Sequence, residues 1–390
     1  MNIRPSSRSS FRKIQRSLLL STAALCLGAV PTSASADAPS VVTTIKPLHS
    51  IASAVMEGVG SPHILIDGAA SPHGFALKPS QAFLLQGADV VFWVGPELAP
   101  SLAKPISSMA EDAHVVELMD ATGIDQLKIR EGANFDSHDH AHGDHDHDHD
   151  HDDHEDHAGH DDHDDHDDHA GHDGHDDHED HADHDDHDDH GDHAGHDDHD
   201  DHEDHEDHAG HEAAHGEAFD PHIWLNPDNG IAIAGAMAET LAELDPDNAA
   251  TYRENAANFS ARVEALEGDI AKQLEPVSGK KFVVFHDAYH HFEHHFGIEA
   301  SGAITLSPEA LSSADRIAEV RKEIKDLDVT CVFQEPQFDA KLVDVVLEGS
   351  SARKATLDPL GTQLTNGPDL YPELLDNLST SLADCLGGQS

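Results

Sequence analysis

Positive charge is scarce in this chain. Only 22 Lys and Arg stand against 77 Asp and Glu, a formal net charge of −55 at pH 7 with histidine neutral. Five of the basic residues, Arg4, Arg8, Arg12, Lys13 and Arg16, sit together at the N-terminus, which leaves 17 for everything that follows. Recognition of nucleic acid or of an anionic membrane needs clustered Lys and Arg, so neither is expected as a partner. The apolar segment Leu18–Val30 is too short to span a bilayer comfortably. Cysteine is rare too, with three in 390 residues.

The N-terminal basic cluster, the apolar segment and the small residues Ala34-Ser35-Ala36 have the order of a secretory signal, with cleavage before Asp37. Cys26 lies inside the apolar segment as Ala-Ala-Leu-Cys, with no small residue before it, so no lipid anchor is expected. Residues 1–36 are therefore expected to be removed on export to a bacterial periplasm. Export leaves Cys331 and Cys385, an even number in an oxidising compartment. A bridge between them is the expectation, two buried free thiols the alternative. In the chain-entropy treatment a bridge closing such a loop contributes about 4 kcal/mol.

What the chain has in excess is histidine beside aspartate. Of its 38 histidines, 28 lie between positions 137 and 216, in a run that begins HDHAHGDHDHDHDHDDHEDH. From 136 to 217 there are 37 carboxylates and no Lys or Arg. Imidazole and carboxylate suit borderline divalent ions such as Zn²⁺. The mixture is expected to hold many ions weakly and interchangeably, for example on His138, His140, His142, His145, His147, His149, His211 and His215. With nothing apolar to bury, the tract is expected to be disordered without metal. A solvated acidic linker would need the acid but not a histidine at nearly every third position.

Strand and helix signals alternate on both sides of the tract. Val41–Ile45, His63–Asp67, Asp89–Val94 and His114–Leu118 read as strands before it, with helical stretches from Pro47 and over Pro79–Gln86. After it come an Ala-rich helix, Asp228–Leu244, and a long one from about Asp245 to Leu274. The apolar positions Phe259, Val263, Leu266, Ile270 and Leu274 of the long helix recur at three- and four-residue spacing. The alternation then restarts with strand Phe282–Phe285 and closes with helix Pro372–Leu386. The fold class is therefore α/β, two lobes with mostly parallel sheets joined by a long helix and carrying a long insertion. The boundaries are 37–244 for the N-terminal lobe, with 136–217 inserted, 245–275 for the linking helix and 276–390 for the C-terminal lobe. Outside signal and tract about 270 residues remain, enough for one large or two modest domains.

Ligands of open α/β sheets bind off the carboxyl ends of the strands, and clefts between lobes are preferred sites. His73, His222, His286 and Asp358 all fall at such turns. Three imidazoles with a carboxylate or a water make a tetrahedral Zn²⁺ site. His290/His294 and His291/His295, paired at i, i+4, can each present two imidazoles on one helix face; a polar helix surface is the favoured reading there. His49, His63 and His114 are taken as structural.

The motifs SPHGFALKPSQ, GADVVFWVGPELAP, DPHIWLNP, FHDAYHHFE, FQEPQF and TLDPLG together resemble the zinc-specific periplasmic solute-binding proteins of bacterial ABC transporters, the ZnuA type. The resemblance runs from about Val41 to Cys385. It implies two α/β lobes bridged by a rigid helix, one metal in the interlobe cleft and a His-rich loop before the second ligand motif. It also implies the ligands His73, His222 and His286, with Asp358 as fourth ligand or partner of a bound water, and a C-terminal-lobe disulfide at Cys331 and Cys385. Manganese-binding relatives carry a glutamate where His286 stands, and three imidazoles favour Zn²⁺ over Mn²⁺. Some zinc members have an acidic residue where this chain has Pro72.

The function implied is capture of Zn²⁺ and its delivery to a membrane permease, with the tract raising the local zinc concentration. A periplasmic zinc chaperone is a further expected partner, and the chain is expected to act as a monomer. The competing readings are a zinc buffer in which the tract is the function, a Mn²⁺-binding protein, and a zinc hydrolase. A hydrolase would need a positioned general base, for which Glu335, Asp287 and Glu293 qualify only by nearness in sequence, so no enzyme is expected.

Overall fold

The structure, a computed structural model, describes residues 38–130, 135, 218–305 and 313–388. The signal, the tract and the eight accessory histidines named within it lie outside the described residues.

The first sheet comprises β1 (Val41–Thr43), β2 (His63–Ile64), β3 (Val90–Trp93) and β4 (His114–Glu117), all parallel in the order β2-β1-β3-β4. Val91 at its centre pairs with Val42 on one side and Val115 on the other. Every residue of β1 and β3 is buried, as expected of β-branched and aromatic strands covered on both faces. The second sheet repeats the plan with β5 (Phe282–His286), β6 (Gly302–Thr305), β7 (Cys331–Gln334) and β8 (Arg353–Thr356) in the order β6-β5-β7-β8, again all parallel. In each sheet the chain leaves its two central strands in opposite directions, the topological switch where a crevice opens.

Helices α1 (Lys46–Val55), α2 (Pro79–Gln86) and α3 (Pro100–Met109) belong to the first lobe. No element is expected from the sequence over the α3 segment, and Pro105 sits inside this helix. Helix α4 (Pro227–Leu244) starts with Pro227 and an Asn226 side chain that accepts from the Asp228 N–H at 2.9 Å, satisfying a donor the first turn leaves open. It ends at Asp245, which Pro246 holds in a non-helical conformation. The long helix α5 accordingly begins at Ala249, after a short turn over Pro246–Asn248 and a few residues beyond the expected start at about Asp245; it ends at Leu274. Its 26 residues extend over about 39 Å. Tyr252, Ala256, Phe259, Val263, Ile270 and Leu274 form its buried stripe.

The second lobe adds α6 (His290–Phe296), α7 (Ala314–Asp326), α8 (Lys341–Leu347) and α9 (Leu370–Gly387). Helix α5 packs on α1 and α4 from the first lobe and on α9 from the second; one hydrophobic core runs through both lobes, and a smaller second one lies among β5, β6, β7, α7 and α8. Polar bonds cross the same seam: Tyr371 Oη donates to Trp224 O (2.8 Å), Trp224 Nε1 to Pro359 O (2.8 Å) and Lys46 Nζ to Leu364 O (2.7 Å). Gly230 is required there, since a Cβ would lie 2.0 Å from Tyr371 Oη. Cys331 at the start of β7 and Cys385 in the last turn of α9 are disulfide-bonded, with Cα atoms 6.2 Å apart.

Candidate metal centre

Three histidines from three distant stretches meet between the sheets. His286 is the last residue of β5, and Glu335 follows the end of β7, so both stand at the switch point of the second sheet. His222 opens the turn leading into α4, and His73 sits on the loop between β2 and α2. The ring centroids are 5.3 Å apart for His73–His222 and for His222–His286, and 5.8 Å for His73–His286. One nitrogen from each ring lies within 4.8 Å of the others; Nε2 of His222 and Nε2 of His286 approach to 3.4 Å.

The nitrogens on the far sides of two rings are held by carboxylates. Nδ1 of His286 bonds Glu335 Oε1 and Nδ1 of His222 bonds Asp220 Oδ1, each at 2.7 Å. Asp220 Oδ1 also accepts from the His222 backbone N–H at 3.0 Å. Such carboxylate–imidazole pairs set the tautomer, leaving Nε2 unprotonated toward a metal, and raise its basicity. The two acids are nearly inaccessible, at 3% exposure each.

Electrostatics separate the three rings. Burial, helped by His222 and His286, holds His73 down to about 3, so it offers a neutral lone pair throughout the physiological range. Burial also pushes His286 down, but the Glu335 charge and hydrogen bond outweigh it and the net direction is up. Asp220 is pushed up by burial yet ends at about 2, because His222 bonds and faces it.

The space between the rings is small. The cavity measures ≈ 10 Å³, about one water-sized sphere, far below the several hundred Å³ of an organic-ligand pocket. Trp224 stands 5.4 Å from the His222 ring and Phe338 meets His286 edge-on at 5.7 Å. Three imidazole nitrogens around an ion-sized space form a set suited to a borderline divalent cation. The family described as Zinc-uptake complex component A periplasmic, ZnuA, matches residues 41–385.

This chain belongs to the ZnuA family. It is 45% identical to the high-affinity zinc uptake system protein ZnuA of Brucella abortus (strain 2308) over 370 residues, covering 95% of this chain and 98% of that protein. It is 40% identical to the corresponding protein of Paracoccus denitrificans (strain Pd 1222) over 375 residues, covering 96% and 99%. A solved ZnuA crystal structure has the same fold, with a TM-score of 0.63 at 20% identity, covering 90% of this chain and 99% of that one.

The structure brings together three of the four site residues expected from the sequence. Asp358 is not among the side chains whose ligand atoms gather within 4.8 Å of one another. Its Oδ2 accepts from Thr362 N (2.6 Å) and Thr362 Oγ1 (2.7 Å), and its Oδ1 from Leu360 N and Gln337 Nε2 (3.2 Å each). Four donors occupy the roughly four lone-pair positions of a carboxylate, so here it staples its own loop.

The sequence analysis does not single out Asp220, and it names Glu335 only as a candidate base for a hydrolase, not as a partner of His286. Asp220 lay in view two residues before His222 in the DPH motif. Glu335 could be connected to His286 only through the pairing of β5 with β7. The α6 histidines also differ from a polar surface: His291 is fully buried, with Nε2 3.1 Å from Asp220 O. His295 Nε2 lies 2.9 Å from Glu267 Oε1, whereas His294 is exposed. In the tract, His211-Glu212-Ala213-Ala214-His215 has the HExxH spacing of zinc hydrolases. In a run with histidine at nearly every third position that match carries little weight, and it lies outside the described residues.

Proposed function

We propose that this chain captures Zn²⁺ in the periplasm through His73, His222 and His286 and delivers it to the membrane permease of an ABC-type zinc uptake system. The observation that carries the reading is the convergence of three imidazole nitrogens on an ion-sized cavity. Zn²⁺ is cargo here, held in a tetrahedral set whose fourth position is open to water. Asp220 and Glu335 orient two of the three ligands, and Asp358 holds the loop that carries the cavity-lining Pro359 and Leu360. An all-imidazole set favours Zn²⁺ over Mn²⁺, which prefers oxygen ligands.

In this reading residues 1–36 direct export. The tract at 136–217 returns to the chain immediately before the ligand loop: the Ile129 N–H donates to Ala218 O (3.0 Å) and the Asp220 N–H to Leu127 O (2.8 Å). A weakly binding tract tethered at that place raises the zinc concentration the centre experiences. The permease, and a periplasmic zinc chaperone, are the partners of the monomeric chain.

Calorimetric titration of the mature protein, with and without residues 137–216, tests the reading. One tight ion retained after deletion, and lost again on adding H222A, is the expected result. Loss of all tight binding on deletion alone makes the protein a histidine-rich zinc buffer.

A further inference from the structure

Asp220 has one oxygen committed to His222 and a second that is not. Its Oδ2 is buried without a hydrogen-bond partner, and so is Nδ1 of His290, the first residue of α6. The two atoms face each other at 4.0 Å, too far for a hydrogen bond. Such buried, unpartnered polar atoms are costly unless something joins them.

We infer that Asp220 Oδ2 and His290 Nδ1 hold a second divalent cation, weaker than and outside the three-histidine centre, with water completing its shell. Zn²⁺ bonds nitrogen and carboxylate oxygen at about 2.0–2.2 Å, so an ion between these atoms reaches both, and a small turn of the His290 ring bends the angle. The ligand pair is a carboxylate and an imidazole that burial, then Arg130, keeps neutral down to about 4. Arg130 is not an obstacle to a cation: Asp287 and Glu293 both grip its guanidinium. With Asp220 the local carboxylates outnumber that single positive charge. His290 also lines a surface pocket with Arg130, Glu293 and His294.

Two protein ligands instead of three make the outer station the weaker one. The shared carboxylate couples the stations: an ion on Oδ2 draws charge from the acid that makes His222 a strong ligand. Occupancy outside therefore loosens the hold inside, and by linkage the inner ion loosens the outer by the same factor. The inference rests on Zn²⁺ being the cargo.

Zinc-edge anomalous diffraction from crystals of the full chain separates the two claims. With one equivalent of Zn²⁺ the expected map has a peak at His73, His222 and His286. With Zn²⁺ in excess over the tract's 28 histidines a second peak stands between Asp220 and His290, and H290A removes that peak while keeping the first. A water between those atoms at excess zinc, or an outer peak that survives H290A, overturns the second station and leaves the proposed function intact. A missing inner peak overturns the proposed function instead.

Discussion

Nδ1 of His286 lies 2.7 Å from Oε1 of Glu335, a contact between the carboxyl ends of two neighbouring strands, and it turns Nε2 of the same ring toward His222. The arrangement at His222 is equivalent, with Asp220 in the place of Glu335. Two of the three proposed ligands are thus already oriented, so an arriving ion would have little to rearrange.

Removing either orienting charge is expected to weaken Zn²⁺ binding without unfolding the protein. E335Q and D220N should each lower affinity by about 10- to 100-fold, measured by competition with a chelator of known affinity. H73A, H222A and H286A should each cost more than either carboxylate variant. Unchanged affinity in both E335Q and D220N would remove the orienting role.

Zinc affinity should fall with pH from a point above the ordinary histidine range. Glu335 raises the pKa of His286 despite burial, so the metal-free ring keeps its second proton above the usual 6.5, and Zn²⁺ must displace it. His73, held near 3, adds no competing proton until far more acidic pH. A group with a raised folded-state pKa stabilises the metal-free protein below its unfolded pKa and loses that contribution as pH rises through the folded pKa. The metal-free protein therefore weakens in the window above 6.5 where zinc binding gains. Binding at pH 5.5 is expected to be at least about tenfold weaker than at pH 7.5; a flat profile argues against His286 as ligand.

Reducing the Cys331–Cys385 bridge should destabilise the protein by about 2–4 kcal/mol. The bond joins the start of β7 to α9, away from the ligand nitrogens, so the number of tightly bound ions should not change. Denaturant unfolding with and without reductant, followed by zinc titration of the reduced form, measures both.

Arg130 is half-buried between Asp287 and Glu293, with Phe135 under its guanidinium at 3.9 Å. R130M leaves two acids without their cation and is expected to cost about 3–5 kcal/mol. Adding E293Q should recover part of that loss, because one stranded charge disappears. Thermal unfolding of the single and double variants decides it; equal losses in the two would show that the triad acts through packing alone.

Much of this protein was determined by local sequence. Alternating strand and helix signals were enough for two parallel α/β lobes, since buried β-branched runs such as Val90–Trp93 have few other destinations. The three histidines of the proposed zinc set were legible as a group because their flanking motifs put them at element ends. Two elements differ from the sequence expectation: α3 forms with Pro105 inside it where no element was expected, and the long helix starts at Ala249, past Pro246, instead of near Asp245.

Tertiary structure alone decided how the ligands are held and which acid is spent elsewhere. Glu335 and His286 are 49 positions apart and meet because two parallel strands pair. Asp358 stands in as suitable a motif as any ligand, yet four hydrogen bonds from its own loop and from Gln337 engage it. A carboxylate's availability depends on which donors surround it, and that is a property of the folded chain.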